Sequence, residues 1–146
     1  MTKRAKLLGI PVLALFLTVA GAPLLDAQIA NPVRATINHS FIVGNTTLPP
    51  GQYTFRMLQG SDLTAMIATN DKKDTSVEFL VRESIDPNTP HHSELVFNRY
   101  GNKEFLTKIY EAGSRAGVAV MEPSRQELRL QHQGQHPVEH TEEQHD

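Results

Sequence analysis

The stretch Phe41-Ile-Val-Gly-Asn-Thr-Thr-Leu-Pro-Pro-Gly-Gln-Tyr-Thr-Phe-Arg56 constrains the fold more than any other part of the chain. Apolar residues run up to a break at Gly44-Asn45, Pro50-Gly51 follows, and Tyr53, Phe55 and Met57 resume with period two. That period belongs to strands, whose successive side chains point to opposite faces. Pro then Gly suits the central positions of a type II turn, because proline presets φ and glycine accepts φ > 0. The stretch reads as strand, reversal, strand.

The same alternation recurs on either side. Arg34 to Val43 predicts a first strand, with Ala35, Ile37, Phe41 and Val43 in one alternating set and a weak middle at Asn38, His39 and Ser40. Tyr53 to Leu58 is a second, ended by Gly60-Ser61-Asp62. Leu63 to Thr69 is a third, with Leu63, Ala65 and Ile67 on one side, and Asn70 to Asp74 turns the chain back. Ser76 to Ser84 is the cleanest, since Val77, Phe79 and Val81 alternate with Glu78, Leu80 and Arg82 to give one buried and one wet face. Glu94 to Tyr100 and Glu104 to Glu111 flank Gly101-Asn102 as a hairpin, with Leu95, Phe97, Phe105 and Ile109 on one side and Tyr100 and Tyr110 nearer the rim. After a turn at Gly113 to Gly117 comes a short strand, Val118 to Met121.

Ser124-x-x-Glu127 then has the form of a capping box, in which each side chain satisfies the other's backbone N–H, and it predicts a helix from Ser124 to Gln133. Gly134 to Asp146 is polar apart from Val138 and is expected to be disordered. Turns at this spacing predict an all-β fold, an antiparallel meander of six or seven strands forming a small sandwich or partly open barrel, with a short C-terminal helix and a disordered tail. The expected core is Leu48, Tyr53, Phe55, Ile67, Val77, Phe79, Val81, Leu95, Phe97, Phe105 and Ile109.

The N-terminus carries an address. Lys3, Arg4 and Lys6 precede an apolar run from Leu7 to Ala20, and small residues follow, which are the parts of a secretory signal peptide over residues 1–27. Cleavage after Ala27 fits best; Ala20-Gly-Ala22 also fits, but Pro23 would follow that cut. The run is shorter than the roughly 20 residues a spanning helix needs, so export without a stable membrane span is expected. The organisation is then a signal peptide, a β domain over 28–123, a short helix over 124–133 and a His-rich acidic tail over 134–146, secreted or periplasmic.

Composition narrows the partners. With 14 Lys and Arg against 16 Asp and Glu, the chain has no broad basic field for nucleic acid or an anionic membrane. The absence of cysteine excludes disulfides, thiolate nucleophiles, Cys-ligated zinc and a lipidated N-terminal Cys. The 146 residues, 39% of them hydrophobic, suit one core.

Phe41-x-Val-Gly-Asn-x-Thr-Leu-Pro-x-Gly-x-Tyr-Thr, Leu95-Val-Phe-x-Arg-Tyr-Gly101 with Phe105-Leu106, and Ser124-x-x-Glu127 occur together in this chain. In these motifs, from about Ala35 to Leu128, the chain resembles a family of uncharacterised secreted proteins of environmental diderm bacteria. The resemblance implies an exported β domain and carries no catalytic residue or cofactor across. Pro49, where a residue such as Ala is usual, and the His-rich tail depart from the family pattern.

Among chemically able residues the tail stands out. His132, His136, His140 and His145, with Glu139, Glu142, Glu143 and Asp146, offer imidazole and carboxylate ligands that suit zinc, copper or nickel. On one helix His132, His136 and His140 would share a face. Gly134 and Pro137 interrupt that helix, so the tail is expected to bind metal weakly if at all, and no cofactor is implied. His91-His92 sits in the Asp86 to Ser93 loop, where adjacent residues point apart. No nucleophile elbow, His-Glu-x-x-His or phosphate loop occurs, so no enzyme activity is expected. Glu78, Glu94, Glu104 and Glu111 read as the wet face of a sheet, and Arg56, Arg82 and Arg99 as partners for strand carboxylates. Asn38-His-Ser40 and Asn45-Thr-Thr47 match a glycosylation acceptor by coincidence, and the absence of Trp disfavours a sugar-stacking surface. The chain reads as a structural or protein-interaction module with an unidentified protein partner; the alternative is a carrier of a small apolar ligand inside a barrel.

Overall fold

The structure, a computed structural model, describes residue 29, residues 31–58 and residues 64–144. The expected signal peptide, the expected turn at Gly60-Ser61-Asp62, Leu63 and His145 lie outside the described residues. Among these residues there are ten strands and one helix, and no helix is long and apolar enough to cross a membrane.

The all-β expectation holds, in a mixed and non-closed sheet. Strand β1 (Val33–Ile37) pairs antiparallel with β4 (Gly51–Met57), β4 with β5 (Ala65–Asn70), and β5 with the start of β6 (Ser76–Ile85). Halfway along, at Val81, β6 changes partner and pairs with β9 (Ala116–Val120). Next comes β8 (Lys103–Tyr110), then β7 (Ser93–Tyr100), then β10 (Val138–Gln144). No backbone ladder joins β10 to β1. Their edges nevertheless approach, and the Thr36 amide donates to Gln144 Oε1 at 2.8 Å.

A meander was expected, and the observed order corrects it. The weak middle of the first predicted strand is a true break: Asn38-His39-Ser40 separates β1 from β2 (Phe41–Val43), which crosses to lie parallel to β8 at Phe105. With β3 (Thr46–Leu48), β2 forms a hairpin around Gly44, which takes φ +57°. The type II turn at Pro50-Gly51 is not formed. Gly51 opens β4 without the positive φ such a turn requires, and glycine suits the position because a Cβ there would lie 2.6 Å from Asn70 Nδ2.

The interior is packed with aromatic rings. Phe41 meets Tyr53 edge-on at 5.1 Å and Phe97 at 6.1 Å, all three are fully buried, and the Tyr53 hydroxyl donates to the Pro49 carbonyl at 2.6 Å. One core assignment fails and one changes cluster. Met66 and Ala68, opposite Phe79 and Val77, face inward, so Ile67 opposite Glu78 is half-exposed. Both faces of that segment are apolar in sequence, and the pairing decides between them. Phe105 is buried as expected but joins a second cluster, because β7 and β8 shift register between Val96 and Phe97, where the Thr107 hydroxyl donates to the Val96 carbonyl. This bulge gives Leu106 and Ile109 to the interior and turns Phe105 outward to Ile42 and Tyr100. Tyr100 and Tyr110, expected at the rim, are both buried.

The helix forms as expected, α1 (Arg125–His132). Ser124 caps it by accepting from the Glu127 amide at 3.0 Å, and Asn45 Oδ1 accepts from the Arg125 amide. The reciprocal half of the capping box is absent: the buried Glu127 carboxylate instead accepts from Asn98 Nδ2 at 2.8 Å and from the Tyr100 hydroxyl at 3.3 Å. Burial raises the pKa of that hydroxyl, which also accepts from Gln131 Nε2. Leu130 packs on Ile42, Tyr100 and Phe105, so the helix is fastened to the outer face of the sheet.

The expected disorder of the tail is overturned by β10, which pairs with β7 from Val138 opposite Arg99 to Gln144 opposite Ser93. Hydrophobicity gives no warning of this strand, because its pairing is carried by the backbone edge of β7 rather than by apolar burial.

Gly117 provides a test of the packing. A Cβ there would meet the Tyr110 ring and lie 2.6 Å from the Ile109 carbonyl oxygen, a backbone atom that cannot swing aside. Gly117→Ala is expected to lower unfolding stability by about 1–3 kcal/mol, the usual range for overpacking, as read by urea denaturation. A variant as stable as the parent would show that β8 and β9 are not packed this closely.

Candidate metal centre

The strand break and the C-terminal strand meet at one mouth of the curled sheet. His39 occupies the break between β1 and β2, while His140 and Glu142 stand two residues apart on β10 and share a face. His140 lies opposite Phe97, and its ring is 6.1 Å from the Phe97 ring, so this face continues the interior. The His39 ring meets Phe97 edge-on at 5.3 Å. Phe97 thus forms the floor beneath both imidazoles.

The donor atoms converge. One ligand atom each from His39, His140 and Glu142 lies within 4.8 Å of the others. His39 Nε2 is 2.7 Å from Glu142 Oε1, and His140 Nε2 is 3.8 Å from the same oxygen. Zinc–ligand bonds near 2.0 Å in tetrahedral geometry place donors about 3.3 Å apart. The two measured separations bracket that value. The three side chains are 20–28% exposed, so the cluster is sheltered yet open to solvent.

Neighbouring groups orient the rings. His39 Nδ1 lies 3.2 Å from the Ser40 carbonyl oxygen, which can only accept, so Nδ1 carries the hydrogen and Nε2 faces Glu142. Two lone-pair atoms 2.7 Å apart need a cation between them, either a proton or a metal ion. His140 Nδ1 is 2.6 Å from Arg99 Nη2 and 3.4 Å from Glu104 Oε1. Arg99 Nη2 can only donate, so His140 Nδ1 accepts from it and the neutral ring carries its hydrogen on Nε2. A metal ion at Nε2 therefore requires Arg99 to withdraw from Nδ1, whose N–H would then point to Glu104, the carboxylate–histidine arrangement found behind many metal-binding imidazoles. Arg99 Nε donates to Glu104 Oε1 across the hairpin. Glu104 is 7% exposed in its side chain, and its Oε2 is buried with no hydrogen-bond partner among the described residues. A buried carboxylate oxygen without a partner is costly, and a cation nearby offsets that cost.

The cluster uses part of the expected set. His140 and Glu142 enter it; His132 ends α1, His136 lies exposed in the following loop, and His145 is outside the described residues. Gly134, at φ +78°, lies between α1 and β10, which separates His132 from His140 as the sequence warned. His91 and His92 lie in the loop between β6 and β7. His39 was not foreseen as a ligand. Its signal was a polar triplet interrupting an apolar alternation, a pattern that also marks an ordinary loop.

No match was found among protein-family models, curated proteins or solved structures.

The charge balance of β10 yields a further test. Glu143 lies opposite Glu94, whose pKa is raised by burial first, then by Asp86 and Glu143. The folded state therefore disfavours the charged form. The penalty is absent well below the ordinary value of 4.5, where Glu94 is protonated folded or unfolded, and it is complete above the raised folded pKa. Glu94→Gln is expected to stabilise the metal-free protein at pH 7 by roughly 0.2–1 kcal/mol, the scale of a cross-strand charge pair. That gain should vanish at pH 3.5. Urea denaturation at both pH values checks this, and an equal gain at both would refute the electrostatic cause.

Proposed function

We propose that this chain is an exported β domain that binds a divalent transition-metal ion at its mouth through His39, His140 and Glu142, acting as a binding module and not as an enzyme. The observation that carries the reading is the convergence of three donor atoms, from segments about a hundred residues apart, within 4.8 Å of one another. Two imidazoles and a carboxylate suit zinc or another borderline ion, and three protein donors leave a position for water or a partner's side chain. Export is supported by the signal-peptide pattern of residues 1–27, and a partner would meet the site from solvent.

The carrier alternative has less support. The inward positions hold Tyr53, Phe41, Phe55 and Phe97, each fully buried. A cleft of about 180 Å³ lies outside that interior, where Gln131 and Glu127 of α1 face Phe105 and Ile42.

The experiment is calorimetric titration of the chelator-stripped, untagged protein with Zn²⁺, repeated with Co²⁺ to read its visible bands. One ion per chain is expected, with a dissociation constant of about 1 µM or tighter, equivalent to about 8 kcal/mol. His39→Ala and His140→Ala should abolish this binding, and Glu104→Gln should weaken it tenfold to a hundredfold. The double variant His132→Ala, His136→Ala should bind as the parent does. Loss of binding in that double variant, or no saturable binding in the parent, would overturn the reading.

A further inference from the structure

We propose that the metal ion is the clasp of the C-terminal strand: loading fixes β10 against β7 and across to the β1–β2 break, and loss of the ion releases it. This rests on the metal-binding reading above and assigns that site a regulatory consequence.

The argument starts from what β10 lacks. Its sequence, Val138 to Gln144, has one apolar residue, and Val138 is 66% exposed, so the strand has no hydrophobic anchor. Elements with little apolar burial are the first to open locally. Its ladder is opposed by the like charges of Glu143 and Glu94. One ion pair, Lys108 Nζ to Glu139 Oε2 at 3.3 Å, is exposed on both sides and contributes little. The connection from α1 runs through Gly134 at φ +78° and Pro137, a short swivel that does not itself impose the strand.

The ties that remain are concentrated at the mouth. His140 contacts Arg99 and Glu104, Glu142 contacts His39, and Gln144 accepts from the Thr36 amide. Two of the three proposed ligands belong to β10, and the third lies across the gap that no backbone ladder closes. An ion held by all three is bound only while β10 is docked. Docking is then linked to metal concentration by mass action. With free ion at a hundred times the dissociation constant, the docked-to-released ratio rises about a hundredfold. Release would bare the edge of β7 from Ser93 to Arg99, seven consecutive residues of unpaired backbone.

Hydrogen exchange on the whole, unmodified protein tests this, with and without saturating Zn²⁺, alongside the titration above. Amides of Val138–Gln144 and their partners on β7 are expected to slow by about a hundredfold with zinc, while those of β4 and β5 stay unchanged. A chelator should reverse the effect. If one ion binds per chain but the β10 amides exchange at the same rate with and without it, the clasp is wrong and the metal site stands. If no ion binds, both fall. A uniform slowing in every strand would also overturn the clasp, because it reports global stabilisation and not docking of one strand.

Discussion

The packing of Phe97 beneath two segments that approach from different directions is the contact on which the arrangement depends. Phe41 meets it from β2, and the His39 and His140 rings meet it from the strand break and from β10. Because Phe41 is fully buried against Tyr53 while Ile37 closes β1 in the same core, only Asn38, His39 and Ser40 remain to carry the chain from one strand system to the other. The crossing is three residues long and bends at His39. The position of His39 is thus a consequence of core packing. Its ring is then held by the edge of Phe97, by the Ser40 carbonyl and by Glu142.

Most strands were legible in the sequence, β3 and β10 excepted, and their partners were not. Val77, Phe79 and Val81 announce a strand with one buried face, but nothing in them says that the strand will serve β5 with one half and β9 with the other. Ile67 and Met66 are equally apolar neighbours, and the choice of inward face was made by the register with Phe79. Phe105 shows the same limit, since a one-residue bulge reverses its face without leaving a mark in composition. Hydrophobic periodicity reports what a segment can bury. It is silent on which edge the segment will find.

The candidate site was half legible for a related reason. His140 and Glu142 stood out by residue type, but in a polar tail their chemistry looked like solvation. Their spacing of two acquires meaning once the segment is a strand, because it places both on one face. His132 and His136 have the spacing that a helix would need, but α1 ends at His132 and leaves His136 outside it. The buried Glu104 was read as part of a wet sheet face, whereas Arg99 and His140 close over it at the mouth.

Whether such a cluster holds an ion strongly depends on who bears the ordering cost of the tail. A free tail carrying the same histidines would have to fix several residues for each ion caught, at about 1–2 kcal/mol of backbone entropy per residue. Here the β7 ladder meets much of that cost, since each backbone hydrogen bond returns about 0.5–1.5 kcal/mol. Over seven residues the ladder offsets only part of the ordering cost, so β10 has little docking free energy to spare without further ties. Linkage makes the relation reciprocal: whatever the ladder contributes to metal affinity, the metal contributes to the ladder. A strand rich in apolar residues would be docked at every metal concentration and could report none of them. The polar sequence of β10, which concealed the strand from a reading of hydrophobicity, is what leaves its docking responsive to the proposed ion.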